Sequence, residues 1–311
     1  MNFLVTGGAG FIGSNIVDKL LELGHSVRIL DNFSTGRREN LKSSYKDIDL
    51  IEGDLRSFHN VERAVRDIEV ILHLGALPSV PRSIYDPITT NEVNVVGTLN
   101  VLEAARNANV NRIVFSSSSS VYGNNPQLPK VETMITNPLS PYAVSKLTGE
   151  NYCRVFSSIY GMEVICLRYF NVFGPRQNPD SQYSAVIPKF IQSIMNDESP
   201  VIYGDGTQSR DFTYIENVIN ANLLASQCTY ETGLTMNCAC HERITLNDLV
   251  DKINADLGKK VKALYEDPRK GDIKHSFADI DLAKSKIGYE PKVNFEEGLK
   301  KTINSFKEIL V

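Results

Sequence analysis

One stretch near the N-terminus constrains the fold more than any other part of the chain. Residues 2–6 form a short apolar run, and a turn with glycines at positions 7, 10 and 13 follows directly. Apolar residues at positions 16, 17, 20, 21 and 23 then recur at helical spacing and stop before Gly24. A strand, a glycine turn and a helix in this order are typical of a dinucleotide-binding unit, because the tight turn lets a pyrophosphate approach the helix N-terminus.

Strands and helices continue to alternate through the first half of the chain. Further strands are predicted at residues 26–30, 49–55, 70–76, 112–115 and 163–167. Helices are predicted near residues 91–107 and from Pro141 onward. This alternation predicts an α/β fold with a Rossmann-type doubly wound parallel sheet.

Near residue 170 the sequence pattern changes, and loops and shorter helices and strands are predicted beyond it. Predicted there are helices near residues 185–195, 215–225, 246–257 and 295–309, and a strand near 201–203. We therefore predict a cofactor-binding domain at 1–170, to which a helix near 214–228 returns, and a smaller C-terminal α/β substrate lobe at 171–311. A ligand is expected between the lobe and the carboxyl ends of the strands.

Acidic residues at the predicted strand ends indicate which dinucleotide binds. Asp31 ends the second strand, where a carboxylate accepts the ribose hydroxyls and repels a 2′-phosphate, which favours NAD over NADP. Arg37 and Arg38 lie nearby and could hold that phosphate, but we give Asp31 precedence. Asp54 ends the third predicted strand and is a candidate partner for the adenine amino group. His73 is interpreted as a packed residue at a strand end.

Composition excludes several classes of function. The net charge is −4, so the chain lacks the basic excess of a nucleic-acid binder. Five scattered cysteines form no paired framework, and Cys238 and Cys240 have no second pair for a metal, so we expect reduced thiols and no metal. No apolar run approaches the roughly 20 residues of a membrane span, and no leader is recognised. We expect a cytoplasmic protein.

The pattern of residues 140–146 suggests a catalytic pair. Pro141 suits the first turn of a helix, and Tyr142 and Lys146 then lie on one face of that helix. A nearby ammonium favours the phenolate and lowers the pKa of the phenol, which makes Tyr142 a candidate general base. A bare Y-x-x-x-K is more often a surface pair, so the interpretation depends on the rest of the chain.

Four features together carry a resemblance over nearly the whole length. They are the glycine turn, Ser118, Tyr-Ala-Val-Ser-Lys at 142–146 and Arg-Tyr-Phe-Asn at 168–171. With them the chain resembles the extended short-chain dehydrogenase/reductases, and within these the nucleotide-sugar 4-epimerases. Stretches at 79–83, 184–189, 209–212 and 271–276 are similar to the bacterial UDP-N-acetylglucosamine 4-epimerases. Gly75 is a departure, since relatives usually carry alanine there.

The resemblance implies three sets of site residues. The catalytic set is Ser118, Tyr142 and Lys146. The cofactor set, for NAD, is Gly7, Gly10, Phe11, Ile12, Gly13, Asp31, Asn32, Ser34, Gly36, Asp54, Leu55, Leu74, Gly75, Ala76, Asn94, Ser116, Tyr142, Lys146 and Tyr169. The substrate set, for a UDP-sugar, is Ser79, Ser118, Ser119, Tyr142, Asn171, Ala185, Val186, Lys189, Tyr203, Arg210, Arg269 and Ser276.

The resemblance also implies a mechanism. Tyr142, as phenolate, takes the proton of the sugar 4-hydroxyl while hydride leaves C4 for NAD, and the hydride later returns to the other face of the keto sugar. Ser118 contacts the same sugar oxygen, and Lys146 stabilises the phenolate. Arg210 and Arg269 are expected to bind the diphosphate. A small residue at Ser276 predicts acceptance of UDP-GlcNAc and UDP-GalNAc and leaves room for UDP-Glc and UDP-Gal.

Three alternative functions compete with this one. A nucleotide-sugar 4,6-dehydratase would carry an Asp-Glu pair where this chain has Ser119 and Ser120. A UDP-glucuronate-type 4-epimerase is closer and stays open. A non-catalytic NAD-binding sensor should have lost the Tyr–Lys pair, which is present here. The helices near 91–107 and 141–159 form a four-helix bundle in relatives, so a homodimer is expected.

Overall fold

A seven-stranded parallel sheet lies at the centre of the structure, a computed structural model that describes residues 1–110, 112–179, 185–228, 233–268 and 274–309. The strands in the described residues are β1 (Asn2–Thr6), β2 (Ser26–Asp31), β3 (Ile48–Glu52), β4 (Val70–His73), β5 (Arg112–Ser118), β6 (Glu163–Tyr169), β7 (Val172–Phe173), β8 (Val201–Tyr203), β9 (Ser209–Arg210), β10 (Thr213–Tyr214), β11 (Leu234–Cys238), β12 (Ile244–Thr245) and β13 (Leu264–Glu266). The α-helices there are α1 (Phe11–Glu22), α2 (Phe58–Ala64), α3 (Val80–Tyr85), α4 (Pro87–Asn91), α5 (Gly97–Asn107), α6 (Pro141–Tyr160), α7 (Val186–Met195), α8 (Ile215–Gln227), α9 (Leu246–Leu257), α10 (Asp281–Ile287) and α11 (Phe295–Ile309).

Strand β1 is buried on both faces, which explains its unbroken apolar sequence. Phe3 and Val5 point into one core with α1 and α8, whereas Leu4 points into a second core with α2, α5 and α6. Successive side chains of a strand point to opposite faces, so helices on both sides are needed to bury them. The predicted doubly wound architecture is confirmed.

The strand order creates a crevice beside β1. The sheet runs β11-β6-β5-β4-β1-β2-β3, so the direction of winding reverses between β1 and β4. Ligands of such sheets bind at the carboxyl ends of the strands at this reversal. The glycine turn after β1, Asp31 at the end of β2 and the serines at the end of β5 therefore lie along one edge of the sheet.

Several predicted boundaries were wrong. The third strand ends at Glu52 rather than Asp54, and the fourth ends at His73 rather than Ala76. The fifth and sixth strands are longer than predicted and end at Ser118 and Tyr169. Serines 116–118 lie beyond the predicted end of the fifth strand, but in β5 their backbone pairs in register with β6 as far as Ser118.

The predicted substrate lobe contributes two elements to the main sheet. Helix α8 packs on it, as predicted for the helix near 214–228, and β11 pairs in parallel with β6. Strand β11 falls in the span 171–311 that was assigned to the lobe, so that part of the division was wrong. The remaining elements of the lobe share a continuous apolar core with the α1–α8 face, through residues such as Phe190, Leu249 and Phe295.

A buried histidine ties the glycine turn to the opposite side of the crevice. His73 Nδ1 lies 2.7 Å from Thr6 Oγ1, and its Nε2 lies 3.0 Å from Thr98 Oγ1. Thr98 donates its hydroxyl proton to Asn94 O, so Nε2–H must donate to Thr98. Thr6 Oγ1 accepts from Gly75 N and therefore donates its own proton to Nδ1. This arrangement suits a neutral imidazole, and burial lowers the pKa of His73 to about 3. The interpretation of His73 as a packed residue is confirmed.

The low pKa of His73 predicts an acid-labile fold. Below its ordinary value of 6.5 the unfolded chain binds a proton that the folded chain excludes, so stability falls as pH drops from 6.5 towards 3. Between pH 7 and pH 5 the expected loss is about 2 kcal/mol from this residue. Urea unfolding at both pH values should show that loss in the wild type and in the exposed control His59→Gln relative to His73→Gln, because every other titrating group is the same in all three proteins. An equal loss in His73→Gln would contradict this account.

Within the described residues, no helix combines the length and apolar character that a membrane crossing requires. Over the same ranges, no group of three or more His, Cys, Asp or Glu side chains is placed to hold a metal ion. All five cysteines are free thiols.

Candidate active site

The glycine turn has the shape that a dinucleotide requires. Gly7 has a φ of +70°, and a Cβ there would lie 2.8 Å from Gly75 Cα. A Cβ at Gly13 would lie 2.2 Å from Gly7 O, so the turn closes only with glycine at both positions. Gly10 precedes α1 and has no side chain to cap it, so the first N–H groups of the helix have no acceptor within it. An uncapped helix N-terminus beside an open turn suits a pyrophosphate.

Asp31 lies beside this turn. Its two carboxylate oxygens accept hydrogen bonds from Ala9 N at 2.9 Å and from Phe33 N at 2.8 Å. Burial raises the pKa of Asp31, while those two backbone bonds oppose the shift. Each oxygen keeps a further lone pair that a ribose hydroxyl can use. Gly36 lies close above, since a Cβ there would be 3.0 Å from Asp31 Oδ1.

Asn32 and Asp54 meet at the outer end of the cofactor crevice. Asn32 Nδ2 donates to Asp54 Oδ2 at 2.9 Å, and Arg56 Nη2 donates to the same oxygen at 2.8 Å. Arg56 is the main reason why the pKa of Asp54 is lowered to about 2. Asp54 therefore stays an anion, placed beyond the end of β3 rather than within it as predicted.

The predicted catalytic residues come together between α6 and β5. Ser140 caps α6 by accepting from Ala143 N at 3.2 Å, and Pro141 occupies the first turn as expected. Tyr142 and Ser118 are hydrogen-bonded through their side chains. Lys146 is 5% exposed, and its Nζ donates to Ser116 O at 2.7 Å. Burial lowers the pKa of the Lys146 ammonium to about 8, so it titrates just above neutrality.

The protonation of Tyr142 differs from the expectation. Burial raises the pKa of its phenol, and the hydrogen bond with Ser118 only partly opposes that effect. Lys146 was expected to lower the pKa of Tyr142. Among the described residues it has no such effect, because its ammonium is directed at Ser116 O. Further positive charge at this site is needed before the phenolate becomes favourable.

Three predicted cofactor residues brace this cluster. Asn94 is 2% exposed, accepts from Leu77 N at 2.8 Å and donates to Ser145 Oγ at 3.0 Å, so its amide joins the β4 loop to α6. It lies in a π-helical turn at Glu92–Val96, which no pattern in the sequence indicated. Tyr169 Oη donates to Asn222 Oδ1 at 3.0 Å and is also hydrogen-bonded to Ser116.

Predicted substrate residues are joined by a residue that the sequence analysis missed. Asp211 is fully buried and accepts from Cys240 N at 2.9 Å and from Ala278 N at 3.2 Å. Its backbone carbonyl accepts from Asn171 Nδ2 at 3.1 Å. Burial raises the pKa of Asp211 to about 7. Its position next to Arg210 was the available signal, but a lone aspartate between two short strands indicates nothing by itself.

Ser276 lies beside Arg210 through the backbone of Ser209. Ser276 N donates to Ser209 O at 2.9 Å, and Arg210 Nη1 donates to the same oxygen at 3.0 Å and to Lys274 O at 3.2 Å. The predicted pocket residue and the predicted diphosphate residue are thus neighbours. Arg269, the second predicted diphosphate residue, lies outside the described residues.

The other predicted site residues occupy loops and element ends. Ser79 caps α3, accepting from Arg82 N at 3.1 Å. Further members at such positions are Ser34, Leu74, Ala76, Ser119, Ala185, Val186 and Tyr203, whereas Lys189 lies within α7. The absence of a side chain at Gly75, where relatives usually carry alanine, is matched by a close neighbour. A Cβ at Gly75 would lie 2.7 Å from Leu55 Cδ1. An alanine there requires this flexible side chain to move.

Comparisons with known proteins agree with this geometry. The model of the NAD-dependent epimerase/dehydratase family matches residues 3–239. A UDP-N-acetylglucosamine 4-epimerase from Methanobrevibacter ruminantium M1, solved with UDP-N-acetylmuramic acid, is 44% identical with a TM-score of 0.95, covering 99% of this chain and 98% of that one. The UDP-glucose 4-epimerase of Thermotoga maritima, solved with UDP-glucose, is 38% identical with a TM-score of 0.95 over 100% of both chains. A UDP-glucose 4-epimerase from Mycolicibacterium smegmatis is 36% identical over 315 residues, 99% of each chain.

Proposed function

The chain belongs to the NAD-dependent epimerase/dehydratase family, and on that basis we propose that it interconverts the C4 epimers of UDP-N-acetylhexosamines. The broader activity follows from its relatives: it is a UDP-sugar 4-epimerase that uses NAD. The identity of the sugar is the new part of the proposal, with UDP-GlcNAc and UDP-GalNAc as the main pair and UDP-Glc and UDP-Gal also accepted.

The chain's own residues fit NAD. The glycine turn and the N-terminus of α1 suit the pyrophosphate, and Asp31 suits the adenosine ribose. When bound, NAD supplies an oxidised nicotinamide ring that accepts hydride from C4 of the sugar and returns it. The cradle formed by Gly7 and Gly13, which any Cβ would fill, is the observation that supports this fit.

The proton of the 4-hydroxyl is assigned to Tyr142. Its hydroxyl group is hydrogen-bonded to Ser118, so a sugar oxygen placed between the two exchanges its proton with Tyr142 while Ser118 supports the developing charge. Lys146 provides a buried positive charge one helical turn away. Its own hydrogen bond to Ser116 O fixes the ammonium against β5.

The UDP group is assigned to the C-terminal lobe, formed by residues 171–311 apart from α8 and β11. Arg210, and Arg269 by its motif, would neutralise the diphosphate, since guanidinium groups bind phosphate oxygens in pairs. Asp211 holds Asn171 and the segment before Ala278 to this region. The sugar can then turn about its link to a fixed diphosphate.

The proximity of Ser276 to Arg210 is the observation that carries the choice of sugar. A small side chain next to the diphosphate site leaves room for a substituent at C2. The test is purified protein incubated separately with UDP-GlcNAc, UDP-Glc and UDP-GlcA, with each product resolved from its C4 epimer. Turnover of UDP-GlcNAc supports the proposal. Turnover of UDP-GlcA alone would replace it with a uronate 4-epimerase.

We also propose that two copies of the chain form a homodimer through a four-helix bundle. Large apolar side chains are exposed on α6 and on the helices that precede α5, including Ile159 at 67%, Ile88 at 72% and Tyr85 at 87%. Helix α6 is one of the two helices named by the resemblance, and α3 and α4 directly precede the other, near 91–107. Exposed apolar side chains grouped on neighbouring helices favour association. The same helices of a second copy of the chain would cover these side chains and complete the four-helix bundle.

A charge on this surface should disrupt the dimer. We expect Ile159→Arg to sediment as a monomer, because a guanidinium buried in an apolar interface has no partner for its charge. The matched control is Leu264→Arg, which places the same charge on an apolar side chain that is 53% exposed on β13. Analytical ultracentrifugation of both variants and the wild type measures whether each protein is a monomer or a dimer. A wild-type monomer, or a dimeric Ile159→Arg, would refute this interface.

A further inference from the structure

Helix α6 carries a third residue on the face that holds Tyr142 and Lys146. Glu150 follows Lys146 by four residues, as Lys146 follows Tyr142, so the three lie along one line of the helix. All three reach consecutive residues of β5. Tyr142 contacts Ser118, Lys146 contacts Ser116 O, and Glu150 accepts from Ser117 Oγ.

Glu150 is also anchored to β6. Arg168 Nε donates to Glu150 Oε1 at 2.9 Å, and Arg168 Nη2 donates to Glu150 Oε2 at 2.7 Å. Both side chains are 6% exposed, and the guanidinium lies 4.6 Å from the centre of the Tyr122 ring. Such a paired geometry fixes direction as well as distance, because both donors of the fork are used. Ser117 and Arg168 are themselves partners in the β5–β6 pairing.

From this geometry we infer that Glu150 is a positioning residue for the epimerase reaction, which sets the register of α6 on β5 and thereby the placement of Tyr142 and Lys146. The inference rests on the proposed function for its kinetic consequence. Glu150 is not a proton donor here, because its charge is matched by Arg168 and its oxygens are occupied by three hydrogen bonds.

The charge of Glu150 has a second effect, on the proton of Lys146. Burial lowers the pKa of Lys146, while the negative charges of Cys153, when ionised, and of Glu150 oppose that shift. Of the other titratable or charged groups, His73 on β4 lies near the ammonium, Tyr142 lies one turn away on the same helix, and Arg168 on β6 binds Glu150. His73 is neutral, so removal of the Glu150 charge takes away a negative charge that favours the ammonium and makes the proton of Lys146 easier to lose.

The variant Glu150→Gln keeps the shape of the side chain and removes its charge. We expect kcat to fall by about 10²-fold, the loss typical of a misplacement near 1 Å, with KM for the UDP-sugar and the NAD content nearly unchanged. The alkaline limb of the kcat–pH profile should move to lower pH. A residue that merely stabilised the fold would leave this limb in place.

The matched control is Glu163→Gln at the other end of the same strands. Glu163 on β6 accepts from Arg112 on β5, just as Glu150 accepts from Arg168. This pair lies at the opposite end of β5 and β6 from Ser116–Ser118. This variant should keep kcat and the pH profile. If Glu150→Gln proves unfolded, Ser117→Ala removes only the link to β5, keeps the pair with Arg168, and should lower kcat by a smaller factor without changing KM.

A measurement without turnover separates this inference from the proposed function. With ¹⁵N-labelled lysine, the Nζ signal that is lost in Lys146→Met reports the titration of Lys146 directly. In Glu150→Gln its midpoint should move to lower pH. If wild-type protein epimerises no UDP-sugar, the proposed function fails, whereas unchanged kcat and an unchanged Lys146 midpoint in folded Glu150→Gln overturn the positioning role.

Discussion

Replacement of Tyr142 by phenylalanine should lower kcat by about 10²- to 10⁴-fold while the fold and the bound NAD are retained. Phenylalanine keeps the ring and its packing at the start of α6, so the only loss is the hydroxyl group that is hydrogen-bonded to Ser118. Without the Tyr142 hydroxyl group, no side chain beside Ser118 is left to accept the proton of the sugar 4-hydroxyl group. The loss should appear in kcat rather than in KM, because the missing interaction is needed only while the proton moves.

The matched control for this experiment is Tyr160→Phe. It removes the same atom from the same helix, but at the exposed C-terminal end of α6. Turnover by this control should equal that of the wild type, and circular dichroism should be the same for all three proteins. Near-normal turnover by Tyr142→Phe would show that another group takes the proton, and the proposed role of Tyr142 would be wrong.

The pH dependence of turnover adds a check on the same pair. The pKa of Lys146 is lowered to about 8, so its positive charge is present below that pH and is lost above it. Because burial raises the pKa of Tyr142, the phenol depends on nearby positive charge to release its proton. The sequence predicted that both residues lie on one face of a helix. It did not predict these two pKa shifts, because the burial that causes them is set by the surrounding fold.

Local patterns in the sequence were sufficient for the parallel sheet. The glycines after β1 constrain the backbone sterically, and the apolar runs of β1 and β4 have few alternatives to a buried strand. Strand β11 was missed because Leu234–Cys238 mixes polar and apolar residues and gains its place only by pairing with β6. Serines 116–118 were missed as strand for a similar reason, since pairing with β6 outweighs their weak propensity.

Contacts between distant residues could not be inferred from the sequence. Glu150 and Arg168 are 18 positions apart, and Asp211 reaches Ala278 across 67 positions. Nothing in the composition around either carboxylate distinguishes it from an exposed one. Both are buried because strands and loops close over them, which is a property of the tertiary structure. The spacing of Glu150 from Lys146 on α6 was the one local signal.

Introduction of tyrosine at Ser276 should reverse the proposed preference for N-acetylated sugars. The backbone of Ser276 is held to Ser209 O, so a large side chain added there cannot be relieved by a simple shift of the segment away from Arg210. The overpacking penalty for an acetamido group should be about 1–3 kcal/mol, whereas a hydroxyl group at C2 still fits. The ratio of kcat/KM for UDP-GlcNAc over UDP-Glc is therefore expected to fall by about 10- to 100-fold.

The matched control for the Ser276 experiment is Ser276→Ala. Alanine removes the hydroxyl group but adds no volume, so it separates steric exclusion from the loss of a hydrogen bond to the sugar. If size at this position selects the substrate, Ser276→Ala keeps the wild-type ratio and Ser276→Tyr retains turnover of UDP-Glc. An unchanged ratio in the tyrosine variant would show that position 276 does not limit the pocket, and the choice of UDP-N-acetylhexosamines would lose its structural support. A fall in both variants would instead assign the preference to the hydroxyl group of Ser276, because only that group is missing from both.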